Sequence, residues 1–327
     1  MTKSLSILAS LACLSVAMPV QAQTFPTKTV TIVVTAAAGG VTDVVARAIA
    51  QRLQEKWGQQ IVIENKGGGA HVVGASQVAR ATPDGHTLML AEAGTYVINP
   101  NLYPKGKLPF DTEKDFIPIT GTVRIHHALI ASPNFPANSV AELIAMAKQK
   151  PATITYGTAG IGSGPHVNVS RLENEAGIKM VAVHYRGATP AQNDVVGGHT
   201  NMMMIAVSSA LPNVRAGKAK MLGIGSAKRL ARVPEFPTIA ESGKLPGFLA
   251  GTWFGLATTG GTPRPIVDKI SKDVRAVMAE PAFKEKFLDR LMYEPMDSSP
   301  EDFKKYIQSE TTRWAKVIRE QKLQLAR

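Results

Sequence analysis

Five residues with little polar interruption, Val30–Val34 (VTIVV), open the patterned part of the chain. A β-branched run of this kind predicts a strand buried on both faces of a parallel sheet. Over Asp43–Trp57 the period changes. Val44, Val45, Ala48, Ile49 and Leu53 fall on one face of a predicted helix. Ile61–Glu64 reads as a short strand and Val72–Ala81 as a helix stopped by Pro83-Asp84-Gly85. Thr87–Ala91 (TLMLA) reads as a third strand. Strand–helix–strand–helix–strand at this spacing predicts an α/β sheet with right-handed crossovers, and ligands of such sheets sit beyond the carboxyl ends of the strands.

The grammar then repeats. Ala128–Ala131 opens a second set, and Ser139-Val-Ala-Glu142 is a capping box ahead of a helix over Val140–Lys150. Strands are expected at Ile154–Tyr156, Val181–His184, Asn201–Ala206 and Met221–Ile224, with helices from about His166 and over Thr189–Val196. Two similar lobes are therefore expected rather than a short-period repeat. Thr262-Pro263 should start a helix as N-cap and first residue. Ser299-Pro300 should start the last one, with Phe303, Tyr306, Ile307, Trp314, Val317 and Ile318 on one face. That stripe is expected to pack against a lobe.

Between strand and helix lie bare loops: Thr35-Ala-Ala-Ala-Gly39-Gly40, Asn65-Lys-Gly-Gly-Gly69 and Gly157-Thr-Ala-Gly-Ile-Gly-Ser-Gly164. Small residues at a helix start let an anion reach backbone N–H groups and the positive end of the helix dipole. Phosphate-cradling loops share this look, but the dinucleotide fingerprint G-x-G-x-x-G fits neither Ala38-Gly39-Gly40 nor Gly160–Pro165. No loop ends in Gly-Lys-Ser/Thr, and no G-x-S-x-G, H-E-x-x-H or S-x-x-K motif is present. The remaining readings are a carboxylate-sized anion held largely by backbone, or glycines serving tight turns alone.

The first 22 residues read MTKSLSILASLACLSVAMPVQA, a lysine followed by a short apolar stretch and small residues at Val20 and Ala22. This is the pattern of an export signal, with cleavage expected after Ala22 and a periplasmic destination. Cys13, the only cysteine of the 327 residues, lies inside it, so no disulfide or thiolate chemistry is expected of the mature chain. The formal net charge of +12 is scattered and lacks a basic cluster interleaved with aromatics. Nucleic acid is therefore not an expected partner, and the excess charge reads either as mild steering of a small anion or as an aid to solubility. The seven histidines show no metal-ligand spacing, and no cofactor is expected. No nucleophile and base can be nominated for an exported hydrolase, the enzymatic alternative.

Nine stretches carry a resemblance that spans nearly all of residues 23–327. They are AAGGVTDVVAR (37–47), VIENKGGGAHVVGA (62–75), ATPDGHTL (81–88), FDTEKDFIPIT (110–120), YGTAGIGSGPHV (156–167), HYRGATPAQNDVVGG (184–198), SALPNVRAGKAKMLGIGSAKR (209–229), VPEFPTIAESG (233–243) and WFGLATTGGTP (253–263). In this order they resemble the substrate-binding receptors of tripartite tricarboxylate transporters, the Bordetella uptake gene receptors. The resemblance implies an α/β, two-lobed periplasmic binding protein of type II, a Venus flytrap with each lobe a β-sheet flanked by helices. It implies residues 23–125 as the first part of lobe 1, 126–252 as lobe 2, and 253–327 as the return to lobe 1. It also implies a small organic carboxylate as ligand, membrane transporter subunits as partners, and a monomer. A carboxylate sensor that docks on a signalling partner would close in the same way.

Carried onto this chain, the family's first-lobe contacts are Ala37, Ala38, Gly39, Thr42, Gly69, Ala70 and Thr95. The second-lobe contacts are Thr158, Gly162, Ser163, His166 and Arg186. Two positions depart from the family's pattern. Ile205 stands where members commonly carry an Asp, which argues against an α-amino acid. His126 and His127 stand where Pro-Asn is more usual, adding candidate donors. With Met202–Met204 beside Ile205, these departures point to a dicarboxylate with an apolar spacer, terephthalate being the sharpest form of that expectation. The competing reading makes the Met run strand core and turns both histidines outward.

Overall fold

A computed structural model describes residues 25–104 and 106–320; the expected signal segment, its cleavage position and Cys13 lie outside the described residues. Among the described residues, ten strands, β1 (Val30–Val34), β2 (Ile61–Asn65), β3 (Thr87–Glu92), β4 (Phe116–Ala131), β5 (Thr155–Thr158), β6 (Val181–His184), β7 (Met202–Ala206), β8 (Lys220–Ile224), β9 (Gly251–Thr259) and β10 (Glu294–Pro295), are joined by pairing, eight of them along one path. Its order is β2-β1-β3-β9-β4-β7-β5-β6, with β8 and β10 also paired to β4. β1 pairs parallel with β2 and β3, and β5 pairs parallel with β6 and β7. Each lobe thus holds a parallel sheet with crossover helices, as the alternating pattern predicts.

β4 joins the two lobes. Residues up to His126 pair with β9, and from His127 onward the strand pairs with β7 and, from Ala128, with β8. The sequence pattern locates only its last four residues. Pro118, Gly121 and the polar Thr120 and Thr122 dilute the apolar run, and the β9 ladder slips register at Pro118/Thr120 and Gly121/Arg124. A further correction falls at Thr262. The helix runs Arg264–Ala279 with Pro263 in the N-cap position, and the Thr262 hydroxyl donates to the Thr259 carbonyl at 2.8 Å.

The cores sit on both faces of each sheet. Met202 and Met204 pack into one face of lobe 2 and Met203 into the other, all fully buried, so the methionine run is strand core rather than cleft wall. The last helix, Pro300–Glu320, lays Phe303, Trp314 and Ile318 into lobe 1, and burying each such side chain contributes about 1.5–3 kcal/mol. Here a glycine is required: a β-carbon on Gly255 would sit 2.1 Å from Phe303 Cζ. The same strand is also held by Tyr96, whose Oη donates to the Gly255 carbonyl at 2.8 Å.

Candidate functional site

Between the lobes lies a cavity of about 250 Å³, walled by the Ala36–Thr42 turn, the end of β3, the lobe-crossing parts of β4 and β9, and four helix starts. These belong to Val41–Trp57, Gly164–Ala176, Ala188–Val196 and Val207–Arg215. The N-cap positions of three of them hold Gly40, Gly187 and Ala206, which make no side-chain cap. Helix starts leave N–H groups without intrahelical partners, and capping side chains usually take them up. Leaving three uncapped starts around one hollow concentrates partial positive charge there, each dipole contributing about 0.3–1 kcal/mol to a nearby anion at exposed sites and more when sheltered. A larger open hollow of about 1320 Å³ on lobe 1 shares no residue with this cavity.

Of the residues expected at the site, Ala37, Gly39, Thr42, His127 and Ile205 reach the wall. Ala38 stands exposed between two of them. The Gly39 amide is already committed, donating to Asp43 Oδ2 at 2.9 Å. Burial opposes ionisation of Asp43, yet hydrogen bonds from Arg47 and from Gly39 outweigh it and hold this carboxyl below its usual range. The first-lobe turn is therefore braced by its own acid.

The second-lobe loop is braced in the same manner. Thr158 Oγ1 lies 2.8 Å from His184 Nδ1 and accepts from the Gly160 amide at 3.2 Å. Ser163 Oγ donates to the Gly160 carbonyl at 2.7 Å, and the Gly162 amide donates to His166 Nδ1 at 3.1 Å. None of Thr158, Gly162, Ser163 and His166 lines the cavity. Their loop is pressed against lobe 1 instead: a β-carbon on Gly162 would sit 2.9 Å from Asn99 Oδ1. Ala70 joins that contact region through its carbonyl, which accepts from Asn99 Nδ2 at 2.6 Å, while Gly69 is exposed beside it. Thr95 is buried in a π-helical turn, Gly94–Ile98, with its hydroxyl unpartnered. Arg186 is exposed, and its carbonyl packs toward Gly67.

The two adjacent histidines part company because side chains alternate along a strand. His126 turns out and pairs with Glu294 at 3.0 Å, so it is not a cleft residue. His127 turns in, 2% exposed, and burial pushes its imidazole down to about 4. The Asn168 amide nitrogen, which can only donate, stands 3.2 Å from His127 Nδ1. The same amide nitrogen donates its two protons to the Gly164 and Gly251 carbonyls at 2.9 and 2.8 Å, so the ring, neutral at pH 7, is packed beside Asn168 without the contact dictating its tautomer.

Sequence reasoning missed a buried pair in the same wall. His71 Nδ1 donates to the Thr35 carbonyl at 2.8 Å, and Nε2 stands 2.9 Å from Glu92 Oε1. Burial disfavours charge on both, but hydrogen bonding and mutual attraction outweigh it, raising His71 and lowering Glu92. Both directions, and acceptors facing both ring nitrogens, favour the imidazolium–carboxylate form of the pair. Glu92 Oε1 also accepts from the Gly164 amide at 3.3 Å, so a lobe 1 acid reaches a lobe 2 helix start. The available signal was a lone acid ending an apolar strand, at the carboxyl edge where ligands sit.

Two sheets bridged by crossing strands, with helix starts facing a shared cleft, define a periplasmic binding protein, and solved structures agree. R. palustris Rpa4515 with adipate is similar at a TM-score of 0.87 and 32% identity, covering 92% of this chain and 99% of that one. The periplasmic binding protein BugD matches at 0.85 and 33%, covering 92% and 99%. MatC (Rpa3494) from Rhodopseudomonas palustris, with bound malate, matches at 0.83 and 33%, covering 90% and 100%. Residues 45–323 match the tripartite tricarboxylate transporter family receptor model, and the chain belongs to that family. Its members are receptors for small carboxylates that work with membrane transporter components.

Proposed function

We propose that this chain is exported, loses residues 1–22, and acts in the periplasm as a monomeric receptor. It captures a dicarboxylate with an apolar spacer, terephthalate-like in shape, and delivers it to the membrane subunits of its transporter. The lobes close as 23–125 with 253–327 around one side of the ligand and 126–252 around the other. One observation carries the reading: uncapped helix starts from both lobes converge on a single small cavity. Acid groups lie over those starts, with Ala37, Thr42 and Thr189 beside them and the ring N–H of His127 as a further donor. Ile125, Ile205 and Phe254 flank the apolar body. The volume of about 250 Å³ sits just below the range of roughly 300–1,000 Å³ for drug-sized ligands, which suits a small acid.

The adipate and malate held by the two similar structures support this ligand class. The contacts first expected at Thr158, Gly162, Ser163 and His166 act in our reading by holding the closed interface, with Gly69, Ala70, Thr95 and Arg186 around it. Isothermal titration of the purified protein with terephthalate, adipate, citrate and glutamate tests the proposal. A saturable one-to-one heat with terephthalate or adipate is expected. Tight glutamate binding with none to either dicarboxylate would end the reading.

A further inference from the structure

Among the described residues, the cavity wall holds one acidic side chain, Glu92. A carboxylate is an odd choice in a hollow built to hold carboxylates, because like charges repel strongly away from water. Its surroundings show what it can take. Oε1 is committed to His71 Nε2 at 2.9 Å and to the Gly164 amide at 3.3 Å. Oε2 makes no hydrogen bond among the described residues, in a side chain that lines the cavity. The residue is only 7% exposed, and what it keeps belongs to the cavity wall.

An ionised carboxylate oxygen offers lone pairs and no proton, so it selects a donor. A second carboxylate at this spot is excluded by repulsion. An ammonium is disfavoured for the opposite reason: His71 faces acceptors at both ring nitrogens and already supplies the balancing cation. A neutral donor remains. Building on the carboxylate reading above, we propose that Glu92 is a specificity-determining residue that selects acids bearing a hydroxyl group, its Oε2 accepting from that hydroxyl. His71 is the positioning residue: it fixes Oε1, aims Oε2 at the ligand and cancels the charge. A site that hydrogen-bonds a ligand hydroxyl holds the analogue that lacks it more weakly, because the buried acceptor then loses water without gaining a partner. Terephthalate and adipate therefore still bind, but less tightly than hydroxylated acids of their shape.

The test uses matched acids differing by one hydroxyl: 2-hydroxyglutarate against glutarate, and lactate against propionate. Calorimetric dissociation constants are compared for the full protein and for Glu92→Ala and Glu92→Gln. The native protein should favour the hydroxylated member by about tenfold or more, as expected for a charge-assisted hydrogen bond. Glu92→Ala should erase the preference, the ratio of dissociation constants within each pair falling to about one whatever the absolute affinities become. Glu92→Gln, which keeps the shape and a weaker acceptor, should shrink it, and it carries the test if the alanine variant does not fold. Equal affinity within each pair for the native protein overturns the hydroxyl assignment alone, as does an unchanged preference in the variants. If no member of either pair binds, and the dicarboxylates of the earlier panel also fail, the carboxylate reading falls and this inference with it.

Discussion

Along β4, His126 turns toward Glu294 in solvent while His127 turns into the cleft, and the two should answer substitution differently. His126→Ala breaks a surface pair worth about 0–1 kcal/mol and should leave ligand affinity within about twofold. His127→Leu removes a donor to a charged ligand group, a loss of about 1.5–3 kcal/mol, or roughly ten- to 150-fold in Kd by calorimetry. Equal effects from the two would contradict their opposite facing. The buried histidines also set the acid limb of stability. His127 and His166 are pushed down to about 4 by burial, so the unfolded chain binds more protons than the folded one between about pH 6.5 and 4. Stability should therefore fall as pH drops through that window, read as a declining Tm, and His166→Gln should flatten the decline. His71 has the opposite sign: its raised value gives a contribution that is full at low pH and lost as pH rises through it. Which neighbour of a histidine pair faces inward was not legible in the sequence, because alternation fixes only that they differ.

At the level of elements, three helices begin at Gly40, Gly187 and Ala206 with no side chain over their first amides. Thr189→Asp places a carboxylate over one of them. An acid in a first turn stabilises a helix by about 0.3–1 kcal/mol, so Tm should hold or rise while dicarboxylate affinity falls at least tenfold. A joint loss of stability and binding would instead indicate a packing role. Gly187 also lies close against the other lobe, since a β-carbon there would lie 2.7 Å from Ala37 Cβ. Gly187→Ala should leave each lobe folded and weaken binding by obstructing closure. Overpacking of this kind costs about 1–3 kcal/mol, or roughly five- to 150-fold in Kd. Much of the element pattern was legible: VTIVV and Val181–His184 lie where the period places them, and the bare loops do precede helices. The start of β4 was not, because its first half is pinned by β9 rather than by its own composition. The site was legible as small residues at helix starts. What those loops do was half hidden, because Asp43 and His166 already take the Gly39 and Gly162 amides.

For the whole molecule, the two halves touch through the Gly162 loop and Asn99, through Gly187 and Ala37, and through Glu92 and Gly164. Family resemblance indicated a shared cleft, but such contacts join residues far apart in sequence, and no local period reports them. The Glu92–Gly164 contact is the clearest case, with its partners 72 positions apart on different elements. Because a ligand held by both lobes binds the folded state alone, saturating dicarboxylate should raise Tm by an amount that grows with its concentration. The claim beneath this is that helix starts from two lobes hold an acid group through its charge. Calorimetric comparison of the tightest-binding dicarboxylate with its own diamide, equal in shape and neutral, tests it most directly. The diamide should bind at least a hundredfold more weakly; equal affinity for acid and amide would contradict it.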